Sequence, residues 1–244
     1  MDKKADKNAL EKRHDLLFIR SVSVAEIQGK GKLHEMSLNS TSFRPKMFKG
    51  GSCDTNAYLL DCPEGCMLID APEGALEAFK HEKIGLLFLT HGHFDHVLDA
   101  AKLAKQHRCP VVMHPTTELM LSDRNLLKKF GIDLEVEPVK ADRLILEGAR
   151  QSFLGQVFDI FEVPGHCPGS LCIFDAGRRI LYGGDVLFAG GVGRWDLPGG
   201  NRDQLLSGIK GKLLSLPEDT VVYSGHGPHT TIGQEKLHNP YLQD

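Results

Sequence analysis

Residues 90–97 read THGHFDHV and follow directly on the apolar run IGLLFL of residues 84–89. Three imidazoles and one carboxylate thus occupy the six positions from His91 to His96, at the exit of a segment that reads as a buried strand. In an extended or turning backbone His91 and His93 face the same side, and Gly92 leaves no Cβ between them. Asp95 and His96 stand at the entrance of the helical pattern HVLDAAKLAKQH (96–107) and present a second set of atoms from the far side of the same turn. Neutral imidazole and carboxylate are ligands that zinc, iron and manganese accept. At this density the stretch reads as a metal-binding loop rather than a solvated surface patch.

Working outward, the same arrangement recurs along the chain. An apolar run leads into a chemically capable residue at MLID (67–70, Asp70), LLFLT (86–90, His91), DIFEVPG (159–165, His166), RILYGGD (179–185, Asp185) and TVVYSG (220–225, His226). All five residues fall at carboxyl ends of expected strands, where open α/β sheets place their ligand sites. Further strands are read at LLFIRSVSV (16–24), NAYLLDC (56–62), CMLID (66–70), QVFDIFEVP (156–164) and SLCIFD (170–175). Helices are read at GALEAFKH (74–81), HVLDAAKLAKQH, TTELMLSDRNLLKKF (116–130) and RDQLLSGIKGKLLSL (202–216). Residues 1–14 are charged and aperiodic and are expected to be mobile. The absence of a composition break beyond them predicts one α/β domain over 15–244.

Composition narrows the partners. A net charge of −3 without a basic stripe argues against nucleic acid. No run of eighteen apolar residues and no apolar stretch of signal-peptide length is present, so no membrane partner is expected and a cytoplasmic location is. The 6 cysteines are scattered and expected to be reduced. Cys62 and Cys66 bracket PEG and could face each other across a hairpin as a redox pair or zinc half-site; without a second such pair, two half-buried small residues is the simpler expectation.

Glycine-rich turns supply the remaining ligand candidates: His166 in PGHCPGS, Asp185 in YGGDVLF and His226 in SGHGPH. With the THGHFDHV residues these make five histidines and two aspartates, enough for two cations, and the two oxygens of Asp185 suit it to bridge them.

The series HxHxDH, GHxPGS, GGD and SGHGP resembles the metallo-β-lactamase superfamily. GGDVLFAGGVGRWDLPGG (183–200) and SGHGPHTTIGQEKLHNPYLQD (224–244) resemble its short, single-domain glyoxalase II-like (hydroxyacylglutathione hydrolase-like) members. The resemblance covers roughly residues 50 to 244. It implies a four-layer αβ/βα sandwich with the metals at one edge of the sheets. It also implies His91, His93 and His166 as ligands of one metal, Asp95, His96 and His226 of the other, and Asp185 as the bridge, with Asp95 and Asp185 the catalytic carboxylates. Asp70 would orient a ligand histidine from behind; capping a helix in APEGALEAF (71–79) is the alternative.

The implied cofactors are two divalent ions, zinc first, with iron or manganese as alternatives. Two metals sharing a water lower its pKa from 15.7 towards ~7. A thioester suits such a centre because a thiolate of pKa about 8.5 leaves without a general acid. The expected reaction is hydrolysis of a thioester of glutathione or another small thiol, S-lactoylglutathione-like, by metal-bound hydroxide, in a monomer or homodimer. An iron-dependent persulfide dioxygenase using His91, His166 and Asp185 is the first rival; a lactonase, or hydrolysis of a β-lactam or phosphodiester, is the second. A non-catalytic metal-binding module is the third, weakened because a structural site is normally closed with four ligands.

Several departures bear on substrate. Two-domain glyoxalase II enzymes hold glutathione with a C-terminal helical extension, whereas this sequence ends 18 residues after His226. Cys167 stands where relatives often have threonine and is expected to be a buried, inert thiol. Leu98 and Asp99 replace smaller residues on the following helix and are not expected to touch the metals. KLHEMSLNSTSF (32–43) could add an edge strand or cover the pocket. Arg194 and Trp195 are the substrate-loop candidates, with an Arg194–Asp196 pair that merely pins the loop as the alternative; His229 is expected at the rim.

Overall fold

Strands in this chain are nearly continuous apolar runs, which is what a sheet covered on both faces requires. In the computed structural model, which describes residues 44–122 and 135–243, those runs form two six-stranded sheets. The first contains β1 (Lys46–Gly50), β2 (Thr55–Cys62), β3 (Gly65–Ile69), β4 (Ile84–Phe88), β5 (Val111–Met113) and β6 (Arg143–Leu144), in that order. Its β1–β2 and β2–β3 pairs are antiparallel and the rest parallel. The second contains β7 (Gly148–Phe153), β8 (Gln156–Glu162), β9 (Leu171–Asp175) and β10 (Ile180–Gly184). A short hairpin of β11 (Leu187–Phe188) and β12 (Gly191–Val192) follows, and β13 (Val221–Ser224) and β14 (Thr230–Thr231) complete the sheet in the order β14-β13-β10-β9-β8-β7.

Side-chain alternation divides the apolar residues into three layers. Leu59 and Leu68 point outward onto α1 (Ala75–Ala78) and α3 (Ala100–His107), in a cluster with Phe79, Leu87, Leu103 and Val111. Leu60, Met67, Ile69 and Phe88 point inward and meet Phe158, Ile160, Ile173 and Tyr182 of the second sheet. Cys172, Leu181 and Val222 cover the other face of the second sheet, against Leu205 and Ile209 of the α5 region and Ile232 of α6 (Ile232–His238). The order is therefore helix, sheet, sheet, helix: the four-layer αβ/βα sandwich. Each fully buried Leu or Phe in these layers stabilises by about 1.5–3 kcal/mol.

Several sequence expectations change in detail. GALEAFKH makes only the single turn α1, because Phe79 turns into the core, where it is 1% exposed. The pattern 96–107 divides into α2 (Phe94–Val97) and α3, and between them Asp99 Oδ2 accepts the Gly74 and Leu76 amides at 2.8 and 3.1 Å. Asp99, not Asp70, therefore holds the amides at the start of α1. RDQLLSGIKGKLLSL is α5 (Arg202–Gly208) continued by a π-helical turn, Ile209–Leu213. Of TTELMLSDRNLLKKF, α4 (Pro115–Ser122) is described and residues 123–130 lie outside the described residues, as do residues 1–14, the strand read at 16–24, the segment 32–43 and the boundary at residue 15. Cys62 pairs across the hairpin with Gly65, and Cys66 with Asp61. Cys62 packs between the sheets while Cys66 packs on the outer face, so the two thiols point to opposite sides and form neither a redox pair nor a half-site. No described helix is long and apolar enough to cross a membrane.

The topology fixes where the chemistry gathers. β3 and β4 are parallel, β10 and β13 are parallel, and β8 reaches the direction of β10 through two antiparallel pairings, so each sheet's functional exits share one edge. The two edges are tied together where Leu171 N–H donates to Thr90 O at 2.9 Å and Asn56 N–H donates to Gly225 O at 2.7 Å.

Candidate metal centre

At that shared edge the loops after β4, β8, β10 and β13, together with α2, converge. His91 follows β4 by way of Thr90; His93 precedes α2, and Asp95 and His96 lie in its single turn. His166 sits in the turn after β8, Asp185 directly follows β10, and His226 comes two residues after β13. His91 and His96 are 0% exposed, His166 3% and Asp185 8%. Three overlapping groups of ligand atoms lie within 4.8 Å of one another: His91, His93 and His166; His91, His96 and Asp185; Asp95, His96 and His226. Asp185 reaches both sides, its Oδ2 3.5 Å from His166 Nε2 and 3.3 Å from His226 Nε2, and its Oδ1 3.2 Å from His96 Nε2. All seven ligand candidates are thus brought together.

The nitrogens facing away from the centre are held by protein acceptors. Asp70, with a left-handed φ of 60°, accepts the Thr90 N–H on Oδ1 at 2.8 Å. Its Oδ2 accepts the Thr90 hydroxyl at 2.8 Å and His96 Nδ1–H at 2.7 Å. A hydroxyl that has given its one proton to Asp70 can only accept, so Thr90 Oγ1 takes His91 Nδ1–H at 3.0 Å. His166 Nδ1–H donates to the Arg194 carbonyl at 2.8 Å and His226 Nδ1–H to the Cys53 carbonyl at 3.0 Å. Four imidazoles consequently turn Nε2 inward, and His93 turns its Nδ1 to His166 Nε2 at 2.8 Å. Thr55 Oγ1–H steadies Asp95 Oδ2 at 2.7 Å.

This arrangement leaves buried polar atoms that protein partners do not satisfy. His91 Nε2, His96 Nε2 and Asp185 Oδ1 have no hydrogen-bond partner among the described residues. Such orphans cost about 1–3 kcal/mol each when left unpaired. Three of them converging within a cage of imidazole and carboxylate fit a cation, and the five nitrogens and two carboxylates fit two.

As protein groups alone, the two sides of the cage have opposite proton affinities. Burial, and then the like charge of neighbouring imidazoles, pushes His91 well below its ordinary value and His93 down to about 4; burial also lowers His166. For His96 burial works the same way, but Asp185 and Asp70 outweigh it and raise it well above the usual range. His226 is raised to about 10 against its burial, by hydrogen bonds to Asp185 and Asp95. Burial would raise both carboxylates; hydrogen bonding to His226 and the charge on His96 instead hold Asp95 at about 2 and Asp185 well below the carboxylate range.

Close approach of the backbone explains one glycine of the signature. A Cβ on Gly225 would collide with Asp185 Oδ1 and the His96 ring.

Among the other sequence candidates, Asp70 touches His96 from behind, as expected, rather than capping α1. The Arg194 side chain does not enter the centre: Nε and Nη2 each meet an Asp196 oxygen at 2.8 Å, both residues exposed, so the pinning pair is what forms. Its carbonyl does the work at the centre. Trp195 packs edge-on against Tyr241, centroids 5.9 Å apart, with Arg202 over its ring, contacts that anchor the loop. His229 is exposed. Cys167 is buried beside Met120, and burial pushes its thiol up to about 11, which keeps it protonated. Sequence reasoning missed Thr90, Thr55, and the carbonyls of Arg194 and Cys53. Thr90 sits inside the quoted stretch and could have been found from its place between Asp70's strand and His91; the carbonyls leave no side-chain signal.

Comparison with known proteins agrees with this geometry. Residues 50–226 match the model of the metallo-beta-lactamase superfamily. A relative from Haemophilus influenzae, hydroxyacylglutathione hydrolase GloC, is 39% identical over 161 residues, 64% of this chain and 75% of that protein. Among solved structures, BLEG-1 B3 metallo-beta-lactamase is 35% identical with a TM-score of 0.76, over 82% of this chain and 100% of the other. TTHA1623 in a di-iron-bound form is 36% identical with a TM-score of 0.71, again over 82% and 100%. With fold, His/Asp metal-binding cluster and sequence in agreement, the chain belongs to the metallo-β-lactamase superfamily and is a metal-dependent hydrolase of that group.

Proposed function

We propose that this centre holds two divalent cations and hydrolyses a thioester of glutathione or of another small acyl-thiol, S-lactoylglutathione-like. The observation that carries this is the set of four imidazoles whose outer nitrogens are tied down while Nε2 faces a pair of carboxylates. His91, His93 and His166 would hold one cation, Asp95, His96 and His226 the other, and Asp185 both. When bound, such a pair supplies a Lewis acid for the substrate carbonyl and a water acidic enough to attack it at neutral pH.

The chain's own residues supply the rest. Asp70 and Thr90 fix the tautomers of His91 and His96, so neither ring has to turn for its lone pair to face inward. Thr55 and the Cys53 carbonyl hold Asp95 and His226 in place. Asp95 and Asp185 stay anionic throughout the neutral range and would offset half of the charge of two dications. Phe188, edge-on to His226 at 6.1 Å between centroids, gives the approach an apolar wall. No serine or cysteine nucleophile is needed, in keeping with the protonated Cys167.

The relative named as a hydroxyacylglutathione hydrolase supports the thioester, and zinc is the first expectation for the metal. The di-iron form of TTHA1623 keeps iron as an alternative, and with it iron-dependent persulfide oxidation. The likeness to BLEG-1 B3 metallo-beta-lactamase is the reason to test β-lactams beside lactones in the panel of other substrates.

The test is turnover of S-D-lactoylglutathione by purified, metal-quantified protein with Asp185→Asn alongside. We expect hydrolysis with about two metals per chain, and a loss of at least about 100-fold in the variant. Full metal with no thioester turnover would remove glutathione thioesters, and sulfite formation from a persulfide or opening of a lactone or β-lactam ring would then name the replacement.

A further inference from the structure

The C-terminal stretch TTIGQEKLHNPYLQD is not consumed by the metal cage, yet it contains a buried acid. Glu235 on α6 is 3% exposed and Asn239, one turn on, is 0% exposed. Three neutral donors converge on the Glu235 carboxylate: Thr230 Oγ1–H to Oε1 at 2.6 Å, and Asn239 Nδ2–H and Gly190 N–H to Oε2 at 2.7 and 2.9 Å. The second Asn239 amide proton reaches the Gly191 carbonyl at 2.9 Å, and Asn239 Oδ1 accepts Tyr241 N–H at 3.0 Å. Glu235 and Asn239 thus grip Gly190 at the tip of the β11–β12 hairpin, where it turns with a φ of 70°, and Gly191, the first residue of β12.

That hairpin has one end at each side of the cage. Before it stands Asp185; after it stands Arg194, whose carbonyl holds His166 Nδ1. Its first strand carries Phe188 against His226, and the Leu187 carbonyl accepts Ser224 Oγ–H at 2.6 Å. Val186 and Gly193 close its base through a 3.2 Å backbone bond. Thr230, the third donor, is four residues beyond His226. α6 itself is anchored at the far end of the sheet, where Ile232 and Gly233 amides donate to the Thr220 and Glu218 carbonyls at 3.0 and 2.9 Å. Burying a carboxylate is costly unless every lone pair is used. Here three directed bonds meet the buried Glu235 carboxylate, and one of them comes from the hairpin tip at Gly190.

We infer that Glu235, with Asn239, is a positioning residue of the metal centre: by clamping the tip of the β11–β12 hairpin it sets the places of Asp185, of the Arg194 carbonyl behind His166 and of Phe188 beside His226. The inference rests on the proposal that the cage binds divalent cations. Glu235→Gln keeps size and shape but turns an amide donor towards groups that themselves donate. The control is Thr231→Ala, which removes the α6 N-cap (Thr231 Oγ1 accepts Gln234 N–H at 3.2 Å) without touching the clamp.

In the full-length protein loaded with cobalt(II), we expect Glu235→Gln to bind metal about tenfold or more weakly in a chelator competition and to shift the cobalt absorption bands, with kcat falling more than KM rises. Thr231→Ala should lower Tm while leaving affinity and spectrum as in the unsubstituted protein. Unchanged affinity and spectrum in Glu235→Gln, or the same weakening in Thr231→Ala, would overturn the positioning role and leave the cage intact. Failure of the unsubstituted protein to take up cobalt at all would overturn the cage, and the clamp's role with it.

Discussion

The two halves of the cage use the same side chain in opposite ways. His91, His93 and His166 are kept neutral because burial and mutual repulsion exclude a proton, so their lone pairs are available without competition. His96 is fully buried and His226 half-buried, but Asp185, Asp70 and Asp95 hold protons on them. Burial alone therefore does not decide the state of such a histidine; the number and closeness of its carboxylates does, with Asp70 at 2.7 Å and Asp185 at 3.2 Å from His96 and Asp95 and Asp185 both at 3.3 Å from His226, against Asp185 alone at 3.5 Å from His166. The first half resembles a set of dry neutral ligands, the second a set of ion pairs that a cation must take over from protons.

This difference has a sign that can be measured, and it gives the largest expected effect. A histidine whose folded pKa is raised stays protonated until pH passes that value, so a cation binding there releases the proton and binds better as pH rises, by up to about tenfold per pH unit for each proton displaced. Titration with zinc at pH 6, 7 and 8 should show a steep pH slope for the Asp95, His96 and His226 half. The His91, His93 and His166 half, with His93 at about 4, should change little over that range. Equal slopes in the two phases would erase the distinction between the halves.

Asp70→Asn comes next, and it should damage both halves together. The asparagine tolerates the left-handed backbone, but it presents an amide where His96 and Thr90 both donate, so His96 and, through Thr90, His91 lose their fixed tautomers. Metal affinity should fall about 10- to 100-fold at both sites, read by chelator competition. If only one site weakened, Asp70 would not be the shared hub.

Thr90→Val separates them. It removes only the acceptor behind His91 and the donor to Asp70, and should weaken the three-histidine half by about fivefold with the other half nearly unchanged. The smallest effect belongs to Arg194→Ala. The carbonyl that serves His166 survives the change and the side chain only meets exposed Asp196, so metal affinity and KM should both stay within about twofold. A large rise in KM would return Arg194 to the role of substrate clamp.

Much of this is legible in the amino-acid sequence alone. Residues at the carboxyl ends of five apolar runs converge because parallel strands must end together, and spacing in THGHFDHV, PGHCPGS, YGGDVLF and SGHGPH marks all seven cage residues. Less legible was what depends on partners distant in sequence or lacking side chains. The acceptors behind His166 and His226 are main-chain carbonyls of Arg194 and Cys53, which any residue supplies. Periodicity ran HVLDAAKLAKQH together because Asp99 interrupts the helix for the sake of α1's amides, a tertiary contact that no local pattern reports. Cys62 and Cys66 looked paired on the page because a hairpin was expected; its register, Cys62 opposite Gly65, sends them to opposite faces. Glu235 would pass in sequence for an ordinary solvated residue of an amphipathic helix.

The outward ties of the imidazoles carry one last consequence, for how such a protein meets the supply of ions in a cell. Because folding, rather than the arriving ion, sets which nitrogen points inward, little rearrangement remains to be driven by binding, and the imidazoles and carboxylates so presented suit zinc, iron and manganese alike. Which element fills the cage is then a matter of provision at the time of folding: two preparations of one polypeptide grown in zinc-rich and iron-rich media should carry different cargoes in the same scaffold.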